Sequence, residues 1–414
     1  MERYEYLTEE EAIEYVRSHT SFFSKNDRLV AKALTGNRAS VDGYANHILR
    51  VQSTSSDESV IIKQVLPFIR AAKENGEDVP VNMARLFTEV QYMRAAEKIC
   101  PEISPEIFSW NQKNGTLIME DLGRMKILRY ELMQGKIFPS FPERMGAFLG
   151  KIAYFTSEQY LTTYEKQTIE AIFDKAKAKR MWGKFIFDDP VLANQENPIN
   201  PLVRNWVDQL YADEAVRREV RMLKSNFNQS KQCLIHTDLH TSNIFVSDEE
   251  LKIFDSEFAR FGPIGFDLGR LLGSLALNFA SLLGFQEWAE ERKRGYQFYL
   301  LETIHSLFES FDKTYCCLWD KHQPARVQSR DRIRDMIFQQ TLGYMACTMM
   351  ARIYDHGLCQ DFQRIESLEE RAKGQRFIIE MARRLFIRRY YYRNMEEVVD
   401  EMRELSLHHK QNWN

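Results

Sequence analysis

The stretch IHTDLHTSNIFVSDEELKIFDSEFARFGPIGFDLGRL (235–271) sets His236, Asp238, Asn243, Asp255, Glu257 and Asp267 in a fixed order. Asp238 and Asn243 lie in a polar loop after a short apolar strand. Asp255 and Glu257 follow a second apolar strand, LKIF, and Asp267 comes as a helix begins. Phosphoryl transfer to an alcohol asks for such a set. A carboxylate must orient the hydroxyl or take its proton, oxygen or amide ligands must hold magnesium, and positive charge must meet the moving phosphate. Asp238 suits the first role. Asp255 suits the second, with Glu257, Asn243 or both as further ligands. On a strand, Asp255 and Glu257 would point to one side and converge on one ion. Asp267, between Phe266 and Leu268, is predicted to be buried and must then be hydrogen-bonded. Its natural partners are backbone amides of the Asp238 loop, and His236 belongs to the same structural support.

The positive charge is expected from the first third of the chain. Lys63 interrupts the apolar run SVIIKQVL, and a helix further on carries Glu89, its natural ion-pair partner, with Glu97 on the same helix as the rival choice. DGYANH (42–47) stands where a loop covering phosphates would lie, which makes Gly43 and Asn46 candidate nucleotide contacts. GxxxxGK[ST] is absent. LIMEDLG (117–123) would supply the hinge whose backbone, from Glu120 to Leu122, hydrogen-bonds adenine.

The elements that must position these residues are legible as a change of periodicity. Thr8 and Glu11 form a capping box ahead of a helix with Ala12, Ile13 and Val16 on its apolar stripe. HILRVQS (47–53) and SVIIKQVLPF (59–68) read as strands, 79–99 as a helix, and Asn114-Gly115 as a hairpin turn. From about residue 140 the period is helical, including 265–309, 330–357 and 368–390, except for short strands between 232 and 256. The expected fold is α+β and bilobal, with a β-rich lobe at 1–122 and a mainly helical lobe at 123–414.

Composition narrows the partners. A formal charge of −3 gives no general attraction to nucleic acid or an acidic membrane. The basic, aromatic run RRLFIRRYYYR (383–393) is expected to be a helix edge with arginines outward and rings inward. The six cysteines form no CxxC pair and read as reduced thiols. The N-terminus has no apolar signal core, and no run approaches the ~20 apolar residues of a membrane span, so a cytoplasmic protein is expected.

The order H-x-D-x-x-x-x-N followed by D-x-E matches the paired loops of kinases. More specifically, the chain resembles the methylthioribose kinase family, which is related to aminoglycoside and choline kinases. The resemblance runs through VIIKQVLPF, VPVNMAR, IMEDLG, LGK (149–151), IHTDLHTSNIF and, most distinctively, FDSEFARFGPIGFDLG. It implies ATP and Mg2+ as cofactors, a protein-kinase-like fold, a homodimer, and 5-methylthioribose as the sugar phosphorylated on its 1-hydroxyl in methionine salvage. By the same resemblance Asp238 is the base, Asp255 and Glu257 bind magnesium, and Lys63 binds the ATP phosphates. A late pair of arginines would touch the substrate, and here only Arg352 remains beside Ala351. Thr237 stands where the family has glycine, Asn243 where it has serine, and DGYAN where it has DGNLN. Two alternatives stay open: a kinase of this fold acting on another sugar or amino alcohol, and a nucleotide-binding pseudokinase scaffold.

Overall fold

A computed structural model describes residues 6–34, 46–68, 70, 80–174, 184–193, 199–324, 329–354 and 359–411. Gly43 lies outside the described residues. The chain divides into two compact units, one of residues 1–126, 171–177 and 245–259, the other of 127–170, 178–244 and 260–414.

In the first unit, helix α1 (Glu9–His19) starts on the reciprocal Thr8–Glu11 capping box. Strands β1 (Leu29–Ala33), β2 (His47–Ser53), β3 (Ser59–Gln64), β4 (Ile107–Asn111) and β5 (Thr116–Glu120) form an antiparallel sheet in the order β1-β2-β3-β5-β4. The Asn114-Gly115 turn joins β4 to β5, with Gly115 at φ +65°. Strand alternation sorts β3 into two faces. Val60 and Ile62 pack with Leu49, Val51 and Ile118 against Ala12 and Val16 of α1. Lys63 therefore points the other way, toward the side where α2 (Arg85–Ile99) buries Leu86, Val90 and Met93 against Val65 and Leu117. A lysine in a strand buried from Val60 to Gln64 is thereby aimed at a helix that carries an acid.

The second unit is mainly helical. It contains α3 (Leu128–Met133), α4 (Phe141–Phe155), α5 (Glu214–Gln229), α6 (Gly265–Ser281), α7 (Glu290–His322), α8 (Arg330–Ala351), α9 (Leu368–Arg388) and α10 (Met395–Gln411). A two-stranded ribbon pairs β6 (Cys233–Ile235) with β7 (Arg260–Gly262). The helical pattern at 265–309 proves to be two helices. The chain turns after Ser281 where Gly284 passes so close to Glu370 that a Cβ would lie 1.9 Å from its carbonyl oxygen.

Every residue of α6 is buried, so it has no solvent face. Its apolar residues join the core, and Gly265, Gly269 and Gly273 let the backbone of α8 approach closely. A Cβ at Gly269 would lie 2.6 Å from the Thr341 carbonyl oxygen. Asp267, Arg270, Ser274 and Asn278 form a buried polar stripe on the same helix.

The basic run at 383–393 is neutralised by ion pairs. Arg383 meets Asp213, Arg384 meets Glu380 and Glu401, Arg388 meets Glu401, Arg389 meets Glu219 and Arg393 meets Glu397. The expected orientation holds only in part. Tyr392 is inward, but Tyr390 and Tyr391 are exposed and Arg389 is buried, because the helix ends at Arg388 and its period stops there. No helix among the described residues is long and apolar enough to cross a membrane, and none of the six cysteines is in a disulfide.

Candidate active site

In the first unit, Lys63 Nζ lies 2.8 Å from Glu89, 2.5 Å from Asp255 and 3.7 Å from Glu257. Burial alone would push the ammonium to deprotonate. The charges of Asp255, Glu89 and Glu257 outweigh it and hold Lys63 well above the ordinary lysine range. Glu97 is elsewhere, accepting from the backbone N–H of Glu102. Oxygens of Glu89, Asp255 and Glu257 all lie within 4.8 Å of one another.

That convergence does not come from strand alternation. The strand ends at Ile253, and Asp255 sits at φ +62°, a left-handed turn that swings its carboxylate toward Lys63. The two acids also differ in availability. Asp255 is one-third exposed, whereas Glu257 is buried and engaged by others. Arg85 Nη1 donates to both Glu257 oxygens at 2.8 and 2.7 Å, and Asn46 Nδ2 donates to one at 3.0 Å. Burial works to raise the Glu257 carboxyl, yet Arg85 and Lys63 hold it below the usual range. The donor set fits a small hard cation. Magnesium keeps several waters and takes one or two carboxylates besides phosphate oxygens, and Asp255 is the acid open enough to serve. Glu120, ending β5, pairs with Lys252 at 2.8 Å and with Arg124 at 3.4 Å, and Leu122 is buried beside it.

In the second unit, the turn after β6 is held from α6. Asp267 accepts the backbone N–H of His236 at 2.5 Å and of Thr237 at 2.9 Å. Burial still pushes the Asp267 carboxyl up, against the pull of those amides and of His236 and Arg270. One turn along α6, Arg270 Nη2 donates to Asp238 Oδ1 at 2.6 Å. A further turn on, Ser274 Oγ accepts from the Thr241 N–H at 3.3 Å. Helical spacing of three and four residues thus lets one stripe grip the loop at three points. Between the first two grips, Thr237 takes φ +77°, a conformation suited to glycine and strained for a β-branched residue.

Asp238 is fixed from other sides as well. Asn243 Nδ2 donates to its carbonyl at 2.9 Å and approaches Oδ2 at 3.4 Å. His240 Nδ1 accepts the Ser242 N–H, which leaves the ring proton on Nε2, 3.5 Å from Asp238 Oδ1. Burial pushes the His240 pKa down to about 3, so the ring is neutral. Burial also opposes charge on Asp238, but His240, Arg270 and Arg352 hold its carboxyl well below the ordinary carboxylate range.

The first unit thus gathers Lys63, Glu89, Asp255, Glu257 and Asn46, and the second gathers His236, Asp238, Asn243, Asp267 and Arg352. Arg85, Arg129, Arg270 and His240 join these sets without having been singled out from sequence. Two of them carried a usable signal. Arg85 is one helical turn before Glu89 and Arg270 one turn after Asp267, so each shares a face with a residue already marked. Arg129, whose Nε lies 3.3 Å from Thr241 Oγ1 and 3.8 Å from Asp361, gave no local signal.

Comparison with known proteins agrees with this chemistry. Residues 105–307 match the phosphotransferase enzyme family. The protein is a small-molecule kinase of the α+β, bilobal, protein-kinase-like class, a class that uses ATP. Methylthioribose kinases from Bacillus cereus strains 03BB102 and AH820 are each 30% identical to the chain over 380 residues, covering 92% of both partners. The chain belongs to the methylthioribose kinase family. Among solved structures, a choline/ethanolamine kinase family protein from Mesorhizobium loti aligns over 95% of this chain and 99% of its own, at 13% identity and a TM-score of 0.43.

Proposed function

We propose that the protein transfers the γ-phosphoryl group of ATP, with magnesium, to the 1-hydroxyl of 5-methylthioribose, a step of methionine salvage. In this reading residues 1–122 bind ATP, and 123–414 carry the catalytic residues and bind the substrate. Lys63, kept charged by Glu89, meets the ATP phosphates. Asn46 would contact the nucleotide, as would Gly43, which lies outside the described residues, and backbone from Glu120 to Leu122 would hold adenine. Asp255 would hold magnesium, with Glu257 and Asn243 as the further candidates. Bound magnesium would neutralise charge building on the phosphate oxygens.

Asp238 orients the acceptor hydroxyl. As its oxygen bonds to the γ-phosphorus, the bond from that phosphorus to the bridging oxygen of ADP breaks, and the hydroxyl proton passes to the Asp238 carboxylate. A carboxylate held so firmly ionised is a weak base, so its main service is alignment, with proton transfer late. The observation that carries the choice of acceptor is the cationic setting of Asp238. Arg270 lies on it and Arg352 is close enough to lower its pKa. Such a site favours an uncharged sugar over the cationic amino alcohols and aminoglycosides, which need anionic or aromatic walls. The names of the 30% identical relatives point the same way. Cytoplasmic location and homodimerisation complete the proposal on family resemblance. Sedimentation analysis checks the second.

The test is a panel assay of ATP consumption with methylthioribose, ribose, choline and an aminoglycoside, followed by assignment of the phosphorylated position. Methylthioribose turned over at the 1-hydroxyl is the expected result. Turnover of another acceptor but not methylthioribose would replace the substrate assignment. ATP binding without turnover of any sugar would favour the scaffold reading.

A further inference from the structure

As it leaves β5, the chain that would meet adenine carries two adjacent acids, Glu120 and Asp121. Both carboxylates are engaged. Glu120 pairs with Lys252 and Arg124. The Asp121 side chain is only 6% exposed and is held by three groups. Arg50, from β2, sets Nε 2.6 Å from Oδ2 and donates from Nη2 to Oδ1 at 3.1 Å. Ser59, from β3, donates its hydroxyl to Oδ2 at 2.7 Å. The Gly123 N–H donates to Oδ1 at 2.8 Å. A Cβ at residue 123 would lie 2.5 Å from Arg50 Nη2, so glycine there leaves the guanidinium its place.

These bonds govern backbone. The bond from Gly123 to Asp121 closes a turn over Leu122, and Arg50 and Ser59 tie the same carboxylate to two neighbouring strands. Leu122 is further fixed by its buried side chain and by its carbonyl, which accepts the Met125 N–H at 2.8 Å. The polar groups of the peptide joining Asp121 to Leu122 are left over. Neither its carbonyl nor its N–H has a hydrogen-bond partner among the described residues. In a trans peptide those two groups point in opposite directions. One orientation of the plane therefore offers a donor to a ligand on a given side, and a half-turn offers an acceptor. On the corresponding ring edge adenine carries an acceptor, N1, and guanine a donor, N1–H.

We propose that Asp121 is a positioning residue for base selectivity. It holds this peptide with the Leu122 N–H toward the base, so that adenine is bound and guanine, whose N1–H would oppose that donor, is rejected. The proposal rests on the reading that backbone from Glu120 to Leu122 meets the nucleotide base. Asp121 acts through that backbone, its own oxygens being already engaged. Its loss is therefore felt at the base and not at the phosphates.

Isothermal titration of the full-length protein in magnesium tests this, with ATP, GTP and inorganic tripolyphosphate as separate probes. Wild type is expected to bind ATP about tenfold or more tighter than GTP. D121A should weaken ATP by about tenfold, leave tripolyphosphate within about twofold, and close most of the gap to GTP. S59A, which removes one donor, should shift the same ratio by about threefold. D121N keeps the size and one acceptor, should fall between D121A and wild type, and stands in for an alanine variant that does not fold. In steady-state turnover the KM for ATP should rise while kcat stays within about threefold. Equal losses of ATP and tripolyphosphate would mark a merely structural role and overturn the proposal, as would an ATP-to-GTP ratio unchanged in D121A and D121N. A wild-type protein that binds ATP and GTP alike would remove the reading of the hinge, and the proposal with it.

Discussion

Replacing Thr237 with glycine should make the protein more stable while leaving its chemistry in place. Thr237 is fully buried at φ +77°, and its hydroxyl has no hydrogen-bond partner. The left-handed backbone costs a residue with a Cβ about 1–2 kcal/mol. A buried hydroxyl left unsatisfied costs about 1–3 kcal/mol more. Glycine removes both penalties. Against this, glycine loses more backbone freedom on folding, about 0.5–1 kcal/mol. The vanished Cβ and methyl forfeit about 1.5 kcal/mol of burial. The balance is a gain of about 1 kcal/mol, or a rise in Tm of about 2–4 °C for a unit of this size. Thermal unfolding followed by circular dichroism reads it, with T237A as the discriminating control. Alanine sheds the hydroxyl and methyl but keeps the Cβ in the strained conformation, so T237G should melt above T237A. Because Asp267 still holds the amides of residues 236 and 237, kcat should stay within about threefold. A T237G protein that melts below both wild type and T237A would refute the reasoning, since the strain would then not be a cost at this site.

Other perturbations have equally definite outcomes. D238N should lower kcat by about 10²–10⁴-fold with little change in ATP binding, checked by steady-state assay and titration with ATP. R85A strips the bidentate partner from buried Glu257 and should destabilise the first unit by about 3–5 kcal/mol, measured by denaturant unfolding. The His409 hydrogen bond and Arg384 bring the Glu380 carboxyl down to about 2 from its usual 4.5, although burial opposes them. A depressed carboxyl stabilises above its unfolded value and loses that contribution as pH falls through the folded one. E380Q should therefore melt below wild type at pH 7, and the gap should close as pH falls from about 4.5 toward 2.

Most of the local architecture could be read from the chain because it depends on near neighbours. The Thr8–Glu11 box, the Asn114-Gly115 hairpin and the periods of β2, β3 and α2 all rest on contacts a few residues apart. Asp267 was legible for a related reason. A carboxylate flanked by Phe and Leu at a helix start must find donors, and the preceding loop offered them. What could not be read depended on long-range approach or on backbone conformation. The left-handed turn at Asp255 replaces the expected strand geometry by a different route to the same convergence. The break after Ser281 reflects how closely the chain at Gly284 passes Glu370, a residue remote in sequence. Arg129 has no periodic relation to Asp238, and only tertiary structure brings α3 and α6 near one loop. Ala351 looked like the loss of a substrate-side cation. The fold brings a positive charge onto Asp238 from α6, through Arg270.

The glycine contact between α6 and α8 bears on precision as well as packing. Helices that meet through long side chains can shift as those chains change rotamer. Where backbone meets backbone, little compliance remains, and the rotational setting of α6 about its own axis is fixed by hard contact. Asp267, Arg270 and Ser274 inherit that setting, so the direction of the Asp238 carboxylate is referenced to a rigid datum and not to the soft parts of the core. Mutational drift in the surrounding apolar residues can then alter stability while leaving the alignment of the catalytic loop untouched. A single methyl at Gly269 would do the reverse, misaligning the loop in a protein that still folds.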